Sequence, residues 1–314
     1  MADILRKPRC LMRIVALLLL IAACSSAEQL EVTLEGEGAE RLLRFYFGSY
    51  TSDDPFETGL LERRGDRFYV GLAVLREYSP ELAQGLKAKA SDGIVSPESL
   101  RAAVQMTYYR ARNLPEELSE FNDRWVTDNV IAFEVHGPVT NYLRRITLAE
   151  PALQSAIWDY YENGEKIRYA IGTVIKAEHL RGTRVVETTA MVRRSDGFWD
   201  FATYDSAGVL ASHTLPNDRA LVTPTECAGC HFGKKGFEPE LSWPLDPTQT
   251  PDGIRKWYTG SRDIEVAEFF SEHLRRSDTL LGLYATTYVS DLRERRRAGT
   301  LDSSAIALLN HLGL

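Results

Sequence analysis

Apolar positions in the first half of the chain recur with the 3.6-residue period of an α-helix. One helical face would carry Leu100, Ala103, Val104 and Thr107. Ser79-Pro80 and Ser96-Pro97 each combine an N-cap serine with a proline at the first helical position, which is a helix start signal. Residues 151–163 have a helical pattern that ends before a glycine. The sequence therefore predicts a mostly helical N-terminal region over residues 41–165.

The period changes from 3.6 to 2 between residues 167 and 215, which is typical of strands. Residues 184–192 are β-branched and alternate in polarity, and residues 197–204 are rich in aromatic side chains. A turn signal, Asp-Ser-Ala-Gly, follows at residues 205–208. Together with residues 170–179, these segments predict an antiparallel meander of four short strands within residues 166–245.

A proline-rich linker over residues 244–251 separates this sheet from a second helical region, residues 252–314. Helices are predicted there at residues 263–276, 278–297 and 302–313. The fold class is therefore α+β, with a small antiparallel sheet flanked by helical N- and C-terminal regions. No internal repeat is evident in the sequence.

The N-terminus has the pattern of an export signal. A basic stretch, Arg6-Lys7-Pro8-Arg9, precedes an apolar run of about ten residues, which is too short for a comfortable membrane span. Ile21-Ala22-Ala23-Cys24 resembles the lipobox of bacterial lipoproteins, in which cleavage leaves a lipid-modified cysteine. We expect a signal peptide over residues 1–23, lipidation at Cys24 and a flexible tether over residues 24–40; a plain signal peptide and an uncleaved anchor are the alternatives.

Location and charge restrict the partners. Ser25 after the modified cysteine resembles the outer-membrane-sorted class, so we expect a periplasmic protein held by its lipid, at the outer membrane rather than the inner. The 314 residues carry a formal net charge of −7, which argues against nucleic acid as a partner because phosphate binding needs a basic face. The four cysteines, Cys10, Cys24, Cys227 and Cys230, are too few for a disulfide-rich scaffold.

Cys227-Ala228-Gly229-Cys230-His231 is a C-x-x-C-H sequence, the attachment signature for c-type haem. Thr223-Pro224-Thr225-Glu226 before it has the pattern of a capping box. A helix that begins there places both thiols and the imidazole on one face. Two thiols can then reach the porphyrin vinyl groups while His231 ligates the iron. The sequence predicts covalent haem c at Cys227 and Cys230.

Other chemistries fit this motif less well. A structural zinc site needs four ligands, and no second cysteine pair follows the signal segment. A zinc deaminase needs an H-x-E element, which the chain lacks. A thioredoxin-type redox pair belongs after a strand in a βαβ unit and needs no adjacent histidine. A disulfide between two such close cysteines is possible in the periplasm.

The sixth iron ligand is not evident. All methionines, including Met106 and Met191, precede the motif, whereas small electron-carrier cytochromes supply a methionine after it. His273 and His311 follow the motif within helical patterns, where a core or surface role is more common. A five-coordinate or weakly capped iron is favoured, which suits small-ligand binding or redox chemistry.

The stretch from about Tyr169 to Pro244 resembles the cytochrome P460 family and its relative cytochrome c′-β. The matching segments are residues 172–178 (GTVIKAE), 190–194 (AMVRR), 197–201 (GFWDF) and 224–231 (PTECAGCH). The resemblance implies a small periplasmic antiparallel-sheet haem protein, often a homodimer. In P460 proper, a lysine of the first segment is cross-linked to a haem that oxidises hydroxylamine. The c′-β relatives lack that lysine and bind gases such as nitric oxide.

This chain departs from the P460 pattern at the cross-linking position. Ala177 stands where the family's lysine falls, and Lys176 is one residue early. On a strand, a shift of one residue reverses the face, so Lys176 would point away unless a bulge intervenes. Arg193 and Arg194 could place a guanidinium near the haem or a bound anion; a solvated strand end is the alternative. Lys176 and Arg193 are thus weak catalytic candidates.

The sequence predicts an exported lipoprotein cytochrome with one covalent haem, used for binding nitrogen oxides or for redox chemistry with a partner protein. If it is an enzyme, a P460-type haem oxidoreductase is expected. A plain electron-transfer cytochrome with a sixth protein ligand is the alternative. A haem-bearing module whose helical N-terminal region recognises a partner is a third hypothesis.

Overall fold

The computed structural model describes residues 28–35, 38–51, 53–125, 129–136, 142–163, 167–214, 219–225, 227–228 and 279–314. These residues form helices together with antiparallel and mixed sheets, so the α+β class is confirmed. The helices are α1 (Ala39–Phe47), α2 (Leu72–Tyr78), α3 (Pro80–Lys89), α4 (Pro97–Ala111), α5 (Leu118–Trp125), α6 (Glu150–Asn163), α7 (Thr279–Ala298) and α8 (Ser303–Leu312). A 3₁₀ turn, Gly48–Tyr50, follows α1.

The first sheet has four strands in the order β2-β3-β1-β4. Its strands are β1 (Gln29–Val32), β2 (Leu61–Arg64), β3 (Arg67–Gly71) and β4 (Ile94–Val95). The central strand β1 pairs antiparallel with β3 and parallel with β4. Leu30 and Val32 point into the core while Gln29 and Glu31 lie between core and solvent, which is the alternation expected of a half-buried strand.

The second sheet has five antiparallel strands in sequence order. Its strands are β5 (Val130–His136), β6 (Leu143–Ala149), β7 (Val174–Arg181), β8 (Arg184–Arg193) and β9 (Trp199–Asp205). One face of the sheet joins a small cluster with Phe121 of α5, and the other joins the main core. Beyond β9, a two-stranded ladder of β10 (His213–Thr214) and β11 (Arg219–Ala220) leads toward the cysteine motif.

Several local sequence signals are confirmed. The Ser79 hydroxyl accepts a hydrogen bond from the Leu82 N–H, and the Ser96 hydroxyl accepts one from Ser99. Helix α6 and strands β8 and β9 lie within two residues of their predicted bounds. Helices α7 and α8 confirm the two predicted helices nearest the C-terminus, and the predicted helix 263–276 lies outside the described residues.

Two predicted segments differ from the structure. Residues 29–32 form the central strand of the first sheet, so the predicted flexible tether over residues 24–40 is wrong there. Residues 41–165 contain five strands besides their helices, and the second sheet begins at Val130 rather than near residue 166. The strands of the first sheet are too short, at two to five residues, for a period of two to stand out.

Candidate haem-attachment site

The chain that enters the cysteine motif is fixed along helix α4. The side-chain amide of Gln105 donates a hydrogen bond to the Leu221 carbonyl at 2.9 Å. One turn further along the helix, the hydroxyls of Tyr109 and Thr223 lie 3.2 Å apart. Gln105 and Tyr109 are four residues apart and so share one helical face. This face of α4 therefore binds two alternate residues of the incoming segment.

The motif then begins as a turn of helix packed on the core. The Ala228 N–H donates to the Pro224 carbonyl at 3.0 Å, which is the i to i−4 bond of an α-helix. Tyr46 of α1 contributes its hydroxyl to that of Thr225, 2.7 Å away. Ala228 is fully buried in the main core, while Cys227 is half-buried and packs against it. The turn thus sits against α1, α4 and the core.

The phenols beside this turn are neutral. Burial raises the pKa of Tyr109 to about 12, against the opposing effect of its bond to Thr223, and the nearby Cys227 adds to the rise. Burial likewise raises the pKa of Tyr46. Both hydroxyls therefore remain protonated at neutral pH and can serve as hydrogen-bond donors or acceptors.

Only part of the predicted site lies in the described residues. Cys227 is described, whereas Cys24, Cys230 and His231 lie outside. Within the described part of the chain, no group of three or more histidine, cysteine or acidic side chains is placed to hold a metal ion. The structure therefore places the first cysteine of the C-x-x-C-H sequence and the chain that positions it.

Lys176 and Ala177 lie on opposite faces of the second sheet. The Lys176 ammonium donates to the Asn122 side-chain oxygen at 3.3 Å, on the face covered by α5. Ala177 belongs to the main core cluster, which also contains Ala228. This is the alternation expected from the strand pattern. No β-bulge separates these two residues, because the irregularity in the β7–β8 register falls later, at His179 and Leu180.

The two arginines at the end of β8 have different surroundings. Arg193 is half-buried, stacks over the Trp199 ring at 5.5 Å from its centroid, and donates to the Gly197 carbonyl. Arg194 is 5% exposed and pairs with the carboxylates of Asp196 and Asp200. The alternative of a solvated strand end is therefore wrong for Arg194, which is part of a buried ion network.

A second buried guanidinium shares that network. Arg112, the residue directly after α4, has only 4% of its side chain exposed, and its Nε lies 3.5 Å from the Asp200 carboxylate, the same distance as that from Arg194 to this carboxylate. The Tyr108 hydroxyl donates to this carboxylate at 3.3 Å and accepts the Phe201 N–H at 2.6 Å. Asp200 thus joins the second sheet to α4, and its loss would leave two buried cations short of a counter-charge.

The candidate distal ligands are spread over the fold. Met106 of α4 is 70% exposed, next in sequence to Gln105, which binds the incoming segment. Met191 is 4% exposed in the main core. His311 of α8 stacks on Trp158, with ring centroids 3.5 Å apart. His273 lies outside the described residues.

His179 is a buried histidine that the sequence did not single out. It is 6% exposed on β7, and its Nδ1 lies 3.3 Å from the Glu187 carboxylate on β8. Burial, together with the positive charge of Arg144 on β6, lowers the pKa of His179 to about 4. This imidazole is therefore neutral at physiological pH.

Gln105, Tyr46 and Tyr109 were missed as positioning residues. The paired tyrosines 108 and 109 suggest one ring in the core and one outside. Tyr108 is buried and its hydroxyl accepts the Phe201 N–H at the outer edge of β9, while Tyr109 is half-buried and its hydroxyl contacts the incoming segment at Thr223. Their sequence signal is weak because their partners lie about ninety or more residues away along the chain.

No family model, curated protein or solved structure matches this chain. Among the helices that the structure describes, none is both long enough and apolar enough to cross a bilayer.

Proposed function

We propose that the protein is an exported, lipid-anchored c-type haem protein, with one haem bonded to Cys227 and Cys230 and His231 as an axial iron ligand. Its proposed role is the binding of a small nitrogen-oxide ligand, or redox chemistry with a partner protein. The observation that carries the proposal is the C-x-x-C-H sequence, whose first residues form a helical turn seated on the core.

The described residues fit such a group. Thioether attachment requires a cysteine sulfur that is held rigidly and yet reaches the edge of the porphyrin. The position of Cys227 supports this role, because it is half-buried on a turn whose neighbour Ala228 is fully buried. Within the described residues, the Cys227 thiol lies near the neutral phenol of Tyr109, and no group of three or more histidine, cysteine or acidic side chains is placed to hold a metal ion.

The bound haem would supply an iron that binds diatomic ligands or exchanges one electron. The protein's own contribution is to position and shield that group. Tyr46, Gln105 and Tyr109 fix the chain on the N-terminal side of Cys227. Ala228 anchors the same turn in the core.

The position of Lys176 favours a haem without a lysine cross-link. Its ammonium binds Asn122 on one face of the sheet, while Ala177 belongs to the core cluster that includes Ala228 on the other. A cross-link would require Lys176 to leave Asn122 and cross the sheet. Among the activities that the resemblance implies, gas binding of the c′-β type is therefore favoured over hydroxylamine oxidation.

Electron transfer through a six-coordinate haem is the second candidate function. Met106 favours it, because this large apolar side chain is 70% exposed on the helix that binds the incoming segment. Thioethers ligate haem iron in electron-carrier cytochromes. Such a role for Met106 would explain why an apolar side chain is exposed at that position.

Absorption spectra of the oxidised and reduced protein, with and without nitric oxide, distinguish these functions. The lead proposal expects a high-spin spectrum that changes when nitric oxide is added. A six-coordinate low-spin spectrum that does not respond to nitric oxide would reject it. If that spectrum becomes high-spin in Met106→Ala and not in Met191→Leu, the electron-transfer function takes its place.

Export and lipidation are a separate part of the proposal. The apolar run and the Ile21-Ala22-Ala23-Cys24 sequence support an exported lipoprotein, and Ser25 after the cysteine supports placing its lipid in the outer membrane. Mass spectrometry of the N-terminal peptide from membrane fractions should show an acylated Cys24. A mature chain that begins elsewhere, or a cysteine without lipid, would reject the anchor and leave the haem proposal intact.

A further inference from the structure

The described part of the fold begins very close in sequence to the proposed lipid. Strand β1 starts at Gln29, and Glu28 before it is also described. Only residues 24–27 therefore separate Glu28 from the lipid. A fully extended chain spans at most about 3.6 Å per residue, so four residues reach roughly 14 Å.

Glu28 is fixed to the body of the protein by three contacts. Its carbonyl accepts a hydrogen bond from the Leu72 N–H at 2.9 Å, at the start of α2. Its carboxylate lies 3.2 Å from the Arg76 guanidinium and 2.5 Å from the Lys87 ammonium. Hydrogen bonds from these two cations, Lys87 foremost, lower the pKa of Glu28. The lipid is thus linked through a short segment to a fixed point on the surface.

The surface around this point carries two long, exposed cationic side chains. We define the entry face as Glu28 together with Arg76 and Lys87, the two cations that contact it. The Arg76 and Lys87 side chains are 54% and 61% exposed. Long cationic side chains suit the headgroup layer of a membrane, because each combines an apolar stem with a charged tip.

The short length of chain between the lipid and Glu28 restricts the orientation more than the charge of the entry face does. Glu77 and Glu81 lie on the same two helices, so the local positive charge is small. A folded body of this size has a radius of gyration of roughly 19 Å and is about 50 Å across. A segment of about 14 Å cannot bring a distant surface of such a body to the bilayer. The entry face is the surface that the lipid holds closest to it.

We propose that the entry face lies against the headgroup layer of the membrane that holds the Cys24 lipid. The inference rests on the lipid attachment proposed above. The short segment thus sets a defined orientation, where a long tether would let the protein tumble.

Lysine footprinting on vesicles tests this orientation. The mature, haem-loaded lipoprotein is reconstituted into phospholipid vesicles and treated with a water-soluble amine-acetylating reagent. The same protein carrying Cys24→Ser, which has no lipid, is treated free in solution. Mass spectrometry then gives the labelling rate of each lysine, with Lys176 in the second sheet as internal reference.

We expect the labelling rate at Lys87, relative to that at Lys176, to fall several-fold on vesicles. A second lipoprotein with sixteen Gly/Ser residues inserted after Ala27 is the matched control, because it keeps the lipid and lengthens the reach. Protection that is lost in this variant supports the proposal. Equal rates on vesicles and in solution, or protection that survives the insertion, would overturn it.

Failure of the lipid anchor has a different signature. Vesicle flotation and the mass of the N-terminal peptide report the anchor directly. A protein without the acyl mass that stays behind when the vesicles float rejects lipidation, and the orientation with it. An acylated protein that floats with the vesicles but shows no protection at Lys87 rejects the orientation alone.

Discussion

The bond between Tyr109 and Thr223 offers a sharp test of how the cysteine motif is positioned. Tyr109→Phe removes one hydroxyl and keeps the ring in place. That hydroxyl lies 3.2 Å from the Thr223 hydroxyl, and the Thr203 backbone at the outer edge of β9 is close enough to lower the pKa of Tyr109. The substitution therefore removes one of the contacts that hold the incoming segment and leaves the buried Thr223 hydroxyl without this partner.

The expected magnitude follows from the contact to Thr223. A hydrogen bond between neutral groups contributes about 0.5–1.5 kcal/mol to stability, and a buried partner left unsatisfied costs about 1–3 kcal/mol. Tyr109→Phe should thus lower the free energy of unfolding by about 1–3 kcal/mol. For a protein of this size, each kcal/mol shifts Tm by roughly 2–4 °C, so Tm should fall by several degrees.

A double-mutant cycle isolates the contact to the incoming segment. Thr223→Val removes the other hydroxyl at nearly constant shape, and the Thr203 contribution cancels in the cycle. Urea unfolding of the haem-loaded protein should give a coupling energy of about 1 kcal/mol between residues 109 and 223. Tyr78→Phe, at an exposed tyrosine, is the control and should change stability by less than about 0.5 kcal/mol. Additive effects of Tyr109→Phe and Thr223→Val would refute the proposed positioning.

Three further outcomes follow from the structure. Asp200→Asn should lower the free energy of unfolding by about 3 kcal/mol in thermal or urea melts, because two buried guanidiniums lose their shared carboxylate; a loss below about 1 kcal/mol would contradict this role. The pKa of His179 is about 4 when folded and near 6.5 when unfolded, so between these pH values the unfolded chain binds a proton that the folded chain does not. Stability should therefore fall as pH drops from 6.5 to 4, by up to about 3 kcal/mol, and His179→Gln should flatten this part of the pH profile; an unchanged profile would show that His179 is not the cause. Lys176→Met should leave the haem spectrum and the mass of the haem peptide unchanged. A lower haem-peptide mass or a displaced Soret band would instead support a cross-link between Lys176 and the haem.

Local signals in the sequence located many of the elements. Serine and proline start signals identified α3 and α4, and period-two alternation identified β8 and β9. The same alternation correctly placed Lys176 and Ala177 on opposite faces of β7. These features depend on neighbouring residues, so periodicity and capping suffice to find them.

Features that depend on distant residues were not predictable. Strand β1 is only four residues long and owes its place to pairing with β3, some forty residues away. From the sequence, Arg112 would be expected on the surface beside a helix, and only the fold brings it to Asp200. The contacts of Tyr109 likewise arise when β9 and the incoming segment meet α4. Whether a polar side chain is buried depends on contacts between segments that are distant in the sequence, and a local sequence pattern does not encode these contacts.

The measurement that tests the central claim most directly is the intact mass of the protein produced with the machinery for c-type haem attachment. The account expects the mass of one covalently bound haem, retained after denaturation and lost in the Cys227→Ala/Cys230→Ala double variant. A folded protein without the haem mass, and in particular one that binds zinc through the same cysteines, would contradict it.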